Sequence, residues 1–532
     1  MLSQHQQDLD DNQTDSLHSP PSAITTASHA PKSAHPLDLP EIRTRIGYFL
    51  TSKGLACCAR VSREWHASFH PLLWVDVHIP ESCTSPTVQT LQKNARLIKS
   101  LRAVACRSNS TYFTLKGCVN LSQLYIRTRS RFWSMSAMAE VPEMIQEHSR
   151  SLQELELDAY EFEPSTLMWE AIGRCSCLKT LTLHNIKVSQ ENLQPFLLAC
   201  TRVSVLHLLN PTLPDATLPY TSGPELKGVQ DLRLHEVHNA ESERQLLFMK
   251  LCPNITSLYW RRSGFTITFP IRQVTSSLAA GRWPNLHSLE LFGDIMEDED
   301  LAGLVKFIPR LESWRTPKTG FGPVALEAME CHFLTIREID LRACESLTSP
   351  MIQHLLYSIP TLEYFSADRL CADDILQDPV WPCSPRLKTL KLFIDMGVSK
   401  DVTSDEFKAQ QMAVFDRLSM LRGLTVLQVS RNVAGPLRPP AMRALRLQLS
   451  AGMTRLDKLR QLEELWFIPG QVMEEGDVEW ILKSFPRLSS MSFYMHSNYD
   501  KNEQLLKTMK TWGKSEVVRP KLLSSSSDRA KA

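Results

Sequence analysis

Two rhythms of apolar residues alternate along most of this chain. A short L-x-x-L-x-L frame comes first, as in LKTLTL from Leu178; apolar residues three and four apart follow, as at Leu193, Phe196, Leu197 and Cys200. Alternate residues of a strand face one way, so the frame predicts a strand that buries one row of leucines. The second rhythm predicts an amphipathic helix. One such unit cannot fold alone. Three buried leucines contribute about 5–8 kcal/mol, whereas ordering the backbone costs ~1–2 kcal/mol per residue.

The unit is repeated. Frames open at Leu121, Leu152, Leu178, Val203, Val229, Ile255, Leu286, Leu311, Ile336, Leu362, Leu387, Leu424, Leu462 and Leu488. From Leu152 to Ile255, and from Leu286 to Leu387, they lie roughly 25 or 26 residues apart, a leucine-rich-repeat period. In LCPNI, RWPNL, IPRL, IPTL, SPRL and FPRL a proline stands two residues before the frame, where it ends a helix and extends the backbone. The pattern predicts an α/β leucine-rich-repeat solenoid, a horseshoe, over residues 80–512.

A repeat array also accounts for 532 residues without an internal linker, because each unit contacts only its neighbours. The net charge of +1 argues against nucleic acid or an anionic membrane as partner, and no apolar run has the length of a membrane span. Residues 1–36 are polar and proline-rich and read as a disordered arm; 513–532 read as a polar tail. The N-terminus lacks the pattern of a secretory signal. The thirteen cysteines, among them Cys175, Cys200, Cys252 and Cys344, then read as buried reduced thiols. Together these features place the chain in the cytoplasm or nucleus, where the Asn-x-Ser/Thr triplets at Asn120 and Asn254 carry no glycan.

Residues 37–79 do not follow the repeat. Asp38 and Glu41 around Pro40 suit the first turn of a helix, whose apolar stripe is Ile42, Ile46, Phe49 and Leu50. Ser52 is placed to cap a second helix with Leu55, Cys58 and Ala59 inward, and Ser62 a third carrying Trp65 and Phe69. Three short helices make a marginal core that wants a partner. The succession LPEI, a helix ending in Phe-Leu, LACC, VSREW and PLLW, continuous from Leu39 to Trp74, resembles the F-box. Set before leucine-rich repeats, it makes the chain similar to the F-box/leucine-rich-repeat proteins. That resemblance implies a small three-helix F-box domain and a role as substrate receptor of an SCF (cullin–RING) ubiquitin ligase. The helices would dock a Skp-family adaptor, and through it a cullin, while the repeats hold a target protein. The adaptor-facing residues it implies are Leu39, Pro40, Ile42, Ile46, Leu50, Leu55, Val61 and Trp65. Gly47 and Gly54 depart from the commonest pattern; mid-helix, Gly47 would cost up to about 1 kcal/mol relative to alanine.

In a horseshoe the strand residues between the leucines line the concave face. Tyr259, Arg261, Phe292 and Arg315 fall there on successive strands, and tyrosine, arginine and other large side chains often anchor interfaces. They read as candidate target-binding residues or as an ordinary solvated inner face. The wider spacing of the last frames leaves insertions at 394–423 and 430–461. In the second, Met442, Leu445, Leu449, Met453, Leu456 and Leu459 share one helical side, which predicts either a partner-binding helix or a long helix docked on the array. The RTRSRFW stretch from Arg127 offers three arginines to an acidic group.

No chemistry is written locally. G-x-x-x-x-G-K-[ST], G-x-G-x-x-G, H-E-x-x-H and G-x-S-x-G are absent, which removes the usual phosphate cradles, zinc protease sites and nucleophile elbows. Cys175-x-Cys177 with His184 lacks the paired spacing of a structural zinc site. The chain reads as a non-catalytic binding module without cofactor or metal. The alternative to a ligase receptor is a leucine-rich-repeat scaffold, or an inhibitor, that acts by protein–protein binding alone.

Overall fold

A computed structural model describes residues 35–511, apart from 80–85, 106–111, 129–137, 139, 215–222, 239–240, 263–267, 294–295, 378–379, 398–403, 430–443, 468–470, 493–494 and 497. Two compact units divide at Leu73/Trp74. The larger is built on one 16-stranded sheet whose strands lie in chain order. They are β1 (Asp76–Ile79), β2 (Ser100–Ala105), β3 (Gln123–Thr128), β4 (Glu154–Phe162), β5 (Thr180–Ile186) and β6 (Val205–Leu209). Then come β7 (Asp231–His235), β8 (Ser257–Arg261), β9 (Ser288–Phe292), β10 (Ser313–Arg315) and β11 (Glu338–Asp340). The last are β12 (Tyr364–Cys371), β13 (Thr389–Asp395), β14 (Val426–Val429), β15 (Glu464–Phe467) and β16 (Ser490–Met491). All neighbours pair in parallel. This is a leucine-rich-repeat solenoid.

Each frame opens a strand, beginning two residues after its first apolar position. Its leucines are buried: Leu178, Leu181 and Leu183 are at most 3% exposed. One continuous core runs along the whole array. After many frames the chain must turn sharply back toward its helix, and it does so through a left-handed residue seven positions into the frame. Asn185, Asn210, Glu236, Lys318 and Ala343 occupy that position with φ between 53 and 65°, and Gly293 with φ 83°. Asparagine and glycine enter this region most easily. Asn185 and Asn210 also join the turns: Asn210 Nδ2 donates to Asn185 Oδ1 at 2.6 Å, and Asn185 Nδ2 to Asp158 Oδ1 at 2.9 Å. The Nδ2 groups of Asn120 and Asn254 donate to Arg96 O and Lys227 O of the preceding repeats.

Two expectations are corrected. The sheet begins at β1, inside the segment assigned to residues 37–79, and β2 is a further repeat strand. Its frame, Ile98, Leu101 and Ala103, has alanine for the third leucine, which hid it. Second, the apolar residues of insertion 430–461 form no α-helix among the described residues. Leu445, Met453, Leu456 and Leu459 are buried, but in 3₁₀ turns Leu449–Ala451 and Met453–Lys458 separated by Gly452 at φ 93°. That left-handed glycine ends any helix, and its Cα side lies against Met412, on the helix Asp405–Ser419 that fills insertion 394–423. The insertion expected after Arg127 lies mostly outside the described residues, as does Met442.

Candidate interaction surfaces

The smaller unit contains α1 (Pro40–Gly47), α2 (Ser52–Cys58) and α3 (Arg63–Leu73). Its first two caps differ from those expected, and the third, at Ser62, is as expected. The reciprocal cap links His35 with Asp38 around a 3₁₀ turn, Pro36–Asp38, and α1 starts at Pro40 with no side-chain cap. Thr51, not Ser52, caps α2 through Gly54 N, while Ser62 Oγ accepts from Trp65 N at 3.3 Å. The core is small: Leu55, Ala59 and Phe69, with Leu50, Cys58, Trp65, Leu72 and Leu73 packed around it. Leu55 is 7% exposed, so its expected place on an adaptor-facing surface is corrected; it belongs to the unit's own interior. Leu50 and Trp65 are divided between core and surface. Leu39, Ile42 and Ile46 are 44, 37 and 37% exposed, and their spacing puts them on one face of α1. Pro40 is exposed at the start of that helix. Phe49 and Val61 are 84 and 63% exposed.

On the larger unit the open face of the sheet carries the residues between the leucines. Register sets Glu156, Thr182, His207, Arg233, Tyr259, Glu290, Arg315, Asp340, Ser366 and Lys391 in one row across β4–β13. The four expected residues divide between two neighbouring groups. Tyr259 and Phe292 bring their ring centroids to 5.5 Å, and Arg261 is paired in register with Phe292. Arg261 Nε lies 3.3 Å from Glu236 Oε1, Arg233 lies 6.0 Å over the Tyr259 ring, and His235 stacks on Tyr259 at 6.0 Å. Burial foremost, with the charge of Arg261, holds His235 below its ordinary pKa, and burial raises Tyr259. Arg315 is bound elsewhere: Nη2 donates to Glu338 Oε2 at 2.8 Å, and its guanidinium lies 4.9 Å over Tyr364. Lys391 covers the same ring at 5.3 Å.

His235 and Tyr364 therefore complete surfaces that the sequence indicated only in part. Their signal was present, since Tyr364 stands between apolar positions of its frame and His235 directly follows the last leucine of its own, but which side chains meet depends on register. Farther toward the N-terminus the carboxylates are all engaged. Glu154 accepts from Gln123 and Tyr125, Glu156 lies 3.3 Å from His184, and Asp158 holds Arg127 at 3.0 Å. Among the described residues no group of three or more His, Cys, Asp or Glu could hold a metal ion, and no helix is long and apolar enough to cross a membrane.

No protein-family model matches the chain, and no curated protein matches it. Solved structures do. An internalin, inlF, from Listeria monocytogenes aligns at 14% identity and TM-score 0.35, over 66% of this chain and 86% of the internalin. The yeast Rad7 and Elc1 complex supplies a chain at 14% identity and TM-score 0.39, over 68% of this chain and 90% of that one. The TLR13–ssRNA13 complex gives 14% identity and TM-score 0.32, over 77% and 52%. None of these likenesses says what this chain binds.

Proposed function

We propose that this chain is the non-catalytic substrate receptor of an SCF (cullin–RING) ubiquitin ligase, working in the cytoplasm or nucleus. In this reading the N-terminal F-box helices dock a Skp-family adaptor, and the open face of the repeats holds the target protein. The observation that carries the reading is the uncovered apolar row Leu39, Ile42 and Ile46 along α1, with Phe49 beyond it, on a unit whose core among the described residues is the small cluster of Leu55, Ala59 and Phe69. Contiguous exposed apolar surface marks a binding site. On the repeats, the Tyr259–Phe292 pair flanked by Arg233 and Arg261 has the composition of an interface anchor. The receptor would contribute proximity, placing a target beside a charged enzyme.

Co-purification with a Skp-family adaptor tests the reading. Ile42→Asp with Ile46→Asp should abolish capture while circular dichroism stays that of the parent, because both side chains are already partly in solvent. A folded parent that captures no adaptor would sink the receptor reading and leave a protein-binding repeat scaffold.

A further inference from the structure

The inward side of α1 presents Arg43 and Gly47. Arg43 is 7% exposed, and its Nε is enclosed without a hydrogen-bond acceptor. Among the described residues its guanidinium has no ion pair. Enclosing part of a guanidinium without a counter-charge is disfavoured. The acid within its field, Glu64, is engaged otherwise: Ser62 Oγ donates to Glu64 Oε2 at 2.7 Å. That hydrogen bond is the first cause of Glu64's lowered pKa and Arg43 the weakest. Arg43 lines a groove of about 440 Å³ between α1 and α3 together with Thr44, Glu64 and Ser68, and its apolar walls are Pro40, Ala67, Pro71 and Leu72.

We infer that this groove receives an acidic side chain of the protein that docks on α1, its carboxylate meeting the Arg43 guanidinium. The inference rests on the adaptor reading above, because Pro40 belongs both to the groove and to the helix bearing Leu39, Ile42 and Ile46. One protein laid along α1 covers both. A carboxylate suits the site better than a phosphate, since one guanidinium with Glu64 on the same groove supplies a fork of donors but too little positive charge for a doubly charged group.

The test compares parent, Arg43→Met and Ile46→Asp full-length chains in calorimetric titrations with a purified Skp-family adaptor, alongside melting of each free chain. Arg43→Met should weaken adaptor binding on the order of thirtyfold or more and flatten its salt dependence. It should also leave the free chain at least as heat-stable as the parent, because methionine fills similar volume without an unpaired charge. Binding within about threefold of the parent, or a lower melting temperature, would overturn the inference. If the parent binds and Ile46→Asp does not, that failure leaves the receptor reading standing. An adaptor that does not bind the parent removes both.

Discussion

At Gly47 one methyl group decides how closely α1 and α3 can pack. Propensity alone counts this glycine as a weakness, yet it ends α1 and is buried there. A Cβ added at Gly47 would collide with Leu72 Cδ1 and lie 3.2 Å from two ring atoms of Phe69. Gly47→Ala should therefore destabilise the helical unit by about 1–3 kcal/mol, despite alanine's better propensity. Amide hydrogen exchange in α1 and α3 reads this; exchange as slow as in the parent would refute it. Asn210 is the corresponding decision in the repeats. It has φ 57°, donates to Asn185 and meets His238 Nε2 at 2.5 Å. Asn210→Ala should lose about 2–3 kcal/mol in urea unfolding. Asn210→Gly should recover about 1 kcal/mol of that by relieving the left-handed strain. Equal losses in the two variants would mean that backbone strain has no part.

Between elements, a carboxylate can belong to one helix and serve the next. Asp298 opens the helix Asp298–Phe307 and accepts from Gly322 N, Val324 N and Ala325 N at 2.8–2.9 Å, at the head of the helix Pro323–Met329. Gly322 makes the approach possible, since a Cβ there would stand 2.6 Å from Asp298 Oδ2. Asp298→Ala should cost ~1–2 kcal/mol and accelerate exchange in both helices; an effect confined to the first would break the argument. The strands were the legible elements. A frame of three leucines is local and repeats, so β3–β16 could be read directly, while β2 was masked by Ala103. What was not legible depended on contacts distant in sequence. Gly452 bending beside Met412 turned an expected helix into 3₁₀ turns, and Glu338 and Tyr364 drew Arg315 away from Tyr259. Leu55 could not be assigned a side because a helix of two turns has too short a pattern to say which face is covered.

Over the whole molecule, burial controls the thiols. Cys118 and Cys344 are pushed up to about 11, and Cys175 and Cys383 to about 12, in each case chiefly by desolvation. Cys57, Cys177 and Cys331 are exposed. Iodoacetamide should label those three in the native chain and reach Cys118, Cys175, Cys344 and Cys383 only on unfolding, which peptide mass mapping would read. The pH dependence has a fixed sign. A native thiol pKa above the unfolded value near 9 stabilises the fold fully below pH 9, and this contribution is lost as pH rises toward 11–12. Melting temperature should fall across that window; a flat profile would contradict it.

The two ends of the sheet bear on how copies of the chain could meet. A parallel array in chain order leaves β1 and β16 each with one unpaired edge, and head-to-tail stacking of such edges is an open contact that grows into fibres. The final edge is blunted. β16 has two residues, and a few residues beyond it Met495 N and His496 N are taken by Asn502 Oδ1 at 2.8 and 3.2 Å, from the helix Tyr499–Thr511. Asn502 thus closes off backbone donors just past the last strand, as a stopper closes a tube, and they are not open to an incoming strand.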